Sequence, residues 1–184
     1  MSLIRSVRPV CLPGPRCALR EWADSDAEAL HALANEPQVA DRTLDENPPS
    51  LTEVRAVLPA WRDAAGGEPR LAYHLAAVAG DRLVGLGTLT VTSAAHRRGE
   101  IGYVVHPEHW GQGLGTEVAR LLLRLAFEQV GLHRVEASTR PDHTASWRVL
   151  EKVGMRREGL SRDHLFVRGS WWDSLRYAVL ATDR

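Results

Sequence analysis

Glu100 to Thr116, Glu-Ile-Gly-Tyr-Val-Val-His-Pro-Glu-His-Trp-Gly-Gln-Gly-Leu-Gly-Thr, is the stretch that most restricts what this chain can become. Ile101 to Val105 is rich in β-branched and aromatic residues and predicts a strand. Pro107 ends that strand, because proline has no N–H to give to a ladder. Gly111, Gly113 and Gly115 then fall at alternate positions, and an amphipathic helical pattern starts directly after them. Strand, glycine turn and helix start together aim several backbone N–H groups, aided by the helix dipole, at one point in space. That arrangement suits an anion, and a phosphate group above all.

The rest of the chain gives this stretch its neighbours. Cys17 to Trp22 predicts a first strand. Ser25 and Glu28 make a capping-box pattern, with Ala27, Leu30, Leu33 and Ala34 marking one face of a helix. Asn35 to Pro49 is polar and broken by Pro37, Pro48 and Pro49, so it reads as a loop. A second helix is expected from Ser50 to about Arg62. Leu71 to Ala79 and Leu83 to Thr92 read as a strand pair turning at Gly80-Asp81. In the helix after the glycines, Val118, Leu121, Leu122 and Leu125 share one face. Glu117, Arg120, Arg124 and Glu128 share the other, spaced for surface ion pairs. Val135 to Thr139 predicts a short strand and Thr144 to Val153 a helix closed by Gly154. Met155 to Arg168 and Trp171 to Leu180 form a hairpin with its turn at Gly169-Ser170. Residues 1–16, punctuated by Pro9, Pro13 and Pro15, read as a loosely held arm, and 17–184 as one domain. This order predicts an α/β chain whose sheet is mostly antiparallel, with one crossover helix placing two strands parallel.

Composition matters for what it excludes. Acidic and basic residues number 23 each, which gives no electrostatic reason to expect a nucleic acid or a membrane as partner. No apolar run reaches the length of a bilayer span, and no targeting segment is visible, so the cytoplasm is the expected location. Cys11 and Cys17 are too few for a disulfide framework. The histidines are scattered without ligand spacing, so no metal is expected.

Three segments together resemble the GNAT superfamily of acyl-CoA-dependent N-acetyltransferases, and within it the RimJ/RimL-like branch. Residues 100–117 are similar to the family's strand and its [Gln/Arg]-x-x-Gly-x-[Gly/Ala] pyrophosphate turn. Thr144-Ala-Ser-Trp-Arg-Val-Leu-Glu-Lys-Val-Gly-Met155 is similar to its Asn-x-x-Ser…Leu-Glu-Lys-x-Gly-Phe helix. Glu158-Gly159, followed by Gly169-Ser-Trp-Trp-Asp173, resembles the branch's C-terminal hairpin. Trp110 stands where the turn motif has Gln or Arg, and His143 where the helix motif has Asn. The resemblance implies a single-domain GNAT fold of about seven strands and four flanking helices.

It also implies a site and a reaction. Acetyl-CoA is the expected cosubstrate, its pyrophosphate held by Trp110, Gly111, Gln112, Gly113, Leu114, Gly115 and Thr116, mainly through backbone N–H groups. Tyr103, Val104 and Val105 would pair with the pantetheine arm, and the Val105 N–H would polarise the thioester carbonyl. His143 is a possible side-chain contact to the cofactor. Glu100 is the candidate base that deprotonates the amine, with Glu158, Asp163 and the relay candidate His74 behind it. Ser146 is the candidate acid near the departing sulfur, or equally a helix cap. The acceptor is a primary amine, either a peptide N-terminus or a small molecule. A non-catalytic acyl-CoA sensor or interaction module, and transfer from succinyl-CoA or another acyl-CoA, stay open. Dimerisation is common among such relatives, and the Trp171-Trp172 hairpin is the candidate surface for a homodimer. Trp22, Trp61, Trp147, Trp171 and Trp172 read as packing residues or as the lining of a substrate pocket.

Overall fold

The computed structural model describes residues 4–43 and 47–183. The expectations for residues 1–3 of the arm and for 44–46 of the loop lie outside the described residues. Among the described residues eight strands form one sheet: β1 (Cys11–Pro13), β2 (Ala18–Arg20), β3 (Ala72–Ala79), β4 (Arg82–Ser93), β5 (Arg98–Val105), β6 (Arg134–Thr139), β7 (Arg156–Val167) and β8 (Ser170–Leu180). Their order is β1-β2-β3-β4-β5-β6-β8-β7. Five α-helices accompany it among the described residues: α1 (Ala27–Asn35), α2 (Pro37–Ala40), α3 (Leu51–Ala65), α4 (Leu114–Arg124) and α5 (Thr144–Lys152). The count is slightly above the seven strands and four helices expected. The additions are β1 and α2, each too short to leave a periodic signal.

All neighbouring strands run antiparallel except β5 and β6, which the crossover through α4 makes parallel. That parallel contact is brief: Arg98 pairs with Arg134, Gly99 with Val135 and Glu100 with Glu136, and there it stops. From Ile101 onward the two strands diverge. Thus β5 keeps β4 along one edge, while its other edge opens into a V-shaped splay.

Each face of the sheet buries its own cluster. On one side Leu89, Ile101 and Val105 pack with Val118, Leu121, Leu122 and Leu125 of the α4 segment. On the other, Trp22, Ala76 and Val78 pack with Leu30 of α1 and with Val54 and Leu58 of α3. Period-2 alternation along β5 divides the faces: Ile101, Tyr103 and Val105 face α4, and Glu100, Gly102 and Val104 face the α1–α3 side.

Several local expectations change. The arm is docked: Ile4, Val10 and Leu12 are buried in the core, and Cys11–Pro13 extends the sheet by pairing with β2. Asp26, not Ser25, organises the start of α1, accepting from the Ala23 N–H at 2.8 Å and from the Arg20 guanidinium at 2.7 and 2.8 Å. Ser50 and Glu53 form a reciprocal capping box at α3. Glu117 is buried rather than part of a solvated charge face, because the β1–β2 turn lies over it; a Cβ on Gly14 would sit 2.2 Å from its Oε1. Arg124 donates to the Pro13 carbonyl of the same turn at 2.9 Å. The C-terminal hairpin turns at Arg168-Gly169, both at positive φ, with Ser170 already paired to Val167.

Candidate active site

The register of β4 and β5 decides where the peptide groups of β5 point. Gly85 lies opposite Val105, and the His106 N–H donates to the Val84 carbonyl at 2.9 Å. That bond makes Gly85–Val105 a non-hydrogen-bonded pair, so the Val105 N–H and C=O face away from β4. The same alternation applies two residues earlier, at Tyr103. With β6 already diverged, these groups face the splay. The Val105 carbonyl is taken by the Trp110 indole N–H at 2.7 Å, which ties the end of the strand to the glycine turn. Val104 is different: its peptide groups serve the β4 ladder.

Gly111 and Gly113 adopt φ of +75° and +82°, and Gly113 is the residue from which α4 departs. Left-handed φ at this point turns the chain so that the first peptide N–H groups of α4 are presented at the mouth of the splay. Two cations that sequence reading missed stand here. Arg16, from the β1–β2 turn, donates to the Gln112 carbonyl. Arg42, just after α2, lies over the Trp110 ring at 5.1 Å. Both come from segments remote in sequence, so no spacing rule could have found them. The turn lacks the family's Gln or Arg at Trp110, and these arginines bring positive charge back to it.

On the α4–α5 face, the Tyr103 hydroxyl lies 3.1 Å from the Ser146 carbonyl and 3.3 Å from its Oγ. Burial pushes the Tyr103 phenol up to about 12, so it keeps its proton at neutral pH. Ser146 lies in the first turn of α5, where it does not cap the helix; His143 is the residue before the helix, and its side chain makes no cap bond either. Burial, with Arg42 nearby, holds the His143 imidazole below its usual range and neutral.

The opposite face holds a cavity of about 580 Å³ between α1, α3 and strands β3, β4 and β5. Trp61 stacks on His74 at 4.7 Å with 6° between the ring planes. Trp22 also contributes to the wall, and its Nε1 is buried without a hydrogen-bond partner among the described residues. Burial first, then Arg70, lowers the His74 imidazole so that it is a neutral proton acceptor at pH 7. Val104 and Thr88 belong to the lining, whereas Glu100 does not.

Glu100 shares the cavity's sheet face but stands at the far end of β5, accepting from Ser138 Oγ at 3.0 Å. Five residue steps along the strand separate it from Val105, about 17 Å at ~3.3 Å per residue. The splay and turn therefore bring together Tyr103, Val105, Trp110, Gly111, Gln112, Gly113, Leu114, Gly115 and Thr116, with Ser146 beside Tyr103, and they leave Glu100 outside. Glu158 is held by Arg134 at 2.5 and 2.8 Å and stays ionised. Asp163 donates its backbone N–H to Asp173 at 2.9 Å on the outer hairpin. Trp147 packs against the α4–α5 core, while Trp171 is exposed on the hairpin beside Phe166. Among the described residues no cluster of three or more His, Cys, Asp or Glu side chains is gathered for a metal, and no helix is long and apolar enough to cross a membrane.

A crossover helix thus begins at a glycine turn, next to a strand pair that parts after three residues. The chain belongs to the acetyltransferase (GNAT) domain family, whose profile matches residues 16–156. It is 28% identical over 165 residues to the uncharacterized N-acetyltransferase YoaA of Bacillus subtilis, covering 90% of this chain and 93% of that one. A candidate ribosomal N-acetyltransferase of the same organism, YdaF, is 34% identical over 140 residues, 73% of each chain. Mycobacterium smegmatis RimJ, solved in complex with CoA-disulfide, superposes with a TM-score of 0.85 at 28% identity, covering 96% of this chain and 90% of that one. The RimJ/RimL-like branch is therefore where this N-acetyltransferase belongs.

Proposed function

We propose that the protein transfers the acetyl group of acetyl-CoA to a primary amine by direct attack in a ternary complex. The observation that carries this reading is the splay: main-chain groups of Tyr103 and Val105 face it, the glycine turn stands at its mouth, and a cavity opens beside Val104 on the other face. Pantetheine amides would pair with the free edge of β5, and the pyrophosphate would rest on the N–H groups of residues 111–116 with Arg16 alongside.

The chemistry follows from where the groups lie. A neutral amine held in the cavity attacks the thioester carbonyl, and the Val105 N–H takes up the charge that develops on its oxygen. The tetrahedral adduct then expels the CoA thiolate. Tyr103, at about 12, does not surrender its proton to a thiol of about 8.5. Its phenol and Ser146 Oγ instead stabilise the sulfur by hydrogen bonding, and the proton that the thiolate finally takes is one released by the amine nitrogen. Deprotonation of the incoming ammonium needs a base on the cavity side. Glu100 serves that role only through intervening water, given the length of β5 between them. A second candidate is favoured by its position, since the neutral His74 lines the cavity.

A thiol-release assay with acetyl-CoA and a panel of amines tests the reading. Ser146→Ala is expected to lower kcat with little change in cofactor affinity. Comparing Glu100→Gln with His74→Gln assigns the base, because the residue whose loss removes the acidic limb of the kcat/KM profile is the one that titrates. Acetyl-CoA binding without turnover on any amine would instead establish the sensor reading, and greater turnover with succinyl-CoA would move the assignment to another acyl group.

A further inference from the structure

The cavity also carries information about which amines the site accepts, an inference that rests on the acetyl transfer proposed above. Its volume of about 580 Å³ lies within the range of pockets that enclose small organic groups. Leu30 and Leu33 of α1, Val57 of α3, and Leu86 and Val104 of the sheet give it walls of hydrocarbon. Among the described lining residues the one carboxylate is Glu53, and no lysine or arginine faces the space. Glu53 is already engaged at the start of α3, where it accepts from the Ser50 N–H and hydroxyl at 2.7 Å each. The flat pair of Trp61 and His74, stacked almost parallel, is part of the lining.

We propose that the acceptor is a primary amine whose remaining skeleton is apolar and uncharged, with an aromatic or branched aliphatic group lodged against the Trp61–His74 pair. Two exclusions follow from the same walls. A polyamine would have to bury a second ammonium among leucines and valines, with only Glu53, whose Oε2 is already engaged by Ser50, to answer it among the described residues. A free amino acid would bring a carboxylate that meets no lysine or arginine among the described lining residues. In either case an unpaired ion loses its hydration, which is far more costly than leaving a methylene in water. The ring and branched-chain amines lose nothing comparable and gain burial.

The test is a comparison of kcat/KM with acetyl-CoA for 2-phenylethylamine, leucinamide, a short Leu-initiated peptide amide, free leucine and spermidine. The first three are expected to exceed the last two by more than tenfold, a margin of about 1.4 kcal/mol at the least. Phenylethylamine against the peptide amide then separates a small-molecule from a polypeptide source of the same chemistry. Trp61→Ala should reduce the rate with phenylethylamine more than with leucinamide. Val57→Asp, which adds a carboxylate to the wall, should raise the relative rate with cadaverine at least tenfold. The preserved fold of each variant is checked by circular dichroism. Equal or better turnover of spermidine or free leucine by the wild-type chain would overturn the inference while leaving the acetyl transfer intact. Thermal stabilisation by acetyl-CoA without thiol release from any of the five amines would overturn the acetyl transfer itself, and the inference with it.

Discussion

Replacing Val105 with proline would remove a single hydrogen atom of interest while sparing the ladder that holds β5. The Val105 N–H faces the splay because Gly85–Val105 is a non-hydrogen-bonded pair, and proline is tolerated where the N–H serves no ladder. The stability cost comes from a tightened φ and a smaller buried side chain, about 1–2 kcal/mol. The catalytic cost should be much larger. Removing one preorganised oxyanion donor costs about 10²–10³ in kcat, or ~2.7–4 kcal/mol. Ground-state binding of acetyl-CoA loses one ordinary hydrogen bond, ~0.5–1.5 kcal/mol, which is at most about tenfold in Kd. Stopped-flow thiol release and calorimetric CoA binding measure the two separately. Val104→Pro is the control: its N–H belongs to the β4 ladder, so it should lower Tm much more for the same chemical change. A folded Val105→Pro protein with kcat within threefold of wild type would refute the oxyanion role. A fall in kcat/KM explained wholly by weaker CoA binding would reduce Val105 to a cofactor contact.

Three further outcomes are expected. Arg70 is 1% exposed, pairs with Glu21 at 2.7 and 3.1 Å and lies over Tyr73 at 4.2 Å, so Glu21→Ala should destabilise by about 3 kcal/mol in urea unfolding. Adding Arg70→Met should recover much of that loss, because no buried charge is then left alone. His74 and His143 are both held below the ordinary 6.5 by burial, so under acid the unfolded chain binds more protons than the folded one. Their contribution is intact above about pH 6.5 and is lost as pH falls through the folded values; the urea midpoint should drop in that window, less steeply in His74→Phe. Gly85→Ala places a Cβ 2.2 Å from the Val104 carbonyl oxygen, and the backbone shift it forces should cost about 1–3 kcal/mol. Activity should fall with it, because the shift moves the Val104–Val105 peptide.

How much of this was legible in the sequence depended on how far each signal travelled along the chain. The strand, glycine turn and helix of residues 100–124 are local, and each residue's own chemistry announces its conformation. The same is true of the β3–β4 turn at Gly80-Asp81. β1 was not legible, because its three residues carry no alternation and gain their place by pairing main chain with β2. α2 hid behind Pro37, a residue that breaks helices internally but opens them well at the first position. Glu117 looked solvated on a helical wheel, yet residues a hundred positions earlier cover it. The Tyr103–Ser146 contact spans 43 residues and was within reach of alternation along β5 alone, which turns Tyr103 toward the helices. Glu100 was legible as a residue type at a strand start, but its distance from Val105 became evident only when the strand's extent was counted. The cavity had no local signal at all, since α1, α3 and three strands each contribute a few residues.

The splay has a consequence for anyone wishing to inhibit such a protein. What it offers a ligand is peptide groups, and apart from proline at a position whose N–H serves no ladder, such as Val105, no single side-chain replacement deletes one. A compound shaped like the pantetheine arm would find the same array in every chain whose counterparts of β5 and β6 part in this way, and resistance to it would be slow to arise for the same reason that selectivity would be poor. The chamber beneath Trp61 and Leu86 offers the opposite bargain. Its described lining is mostly side chains, so a molecule fitted to it can tell this protein from a relative whose lining differs, and one substitution can undo the fit.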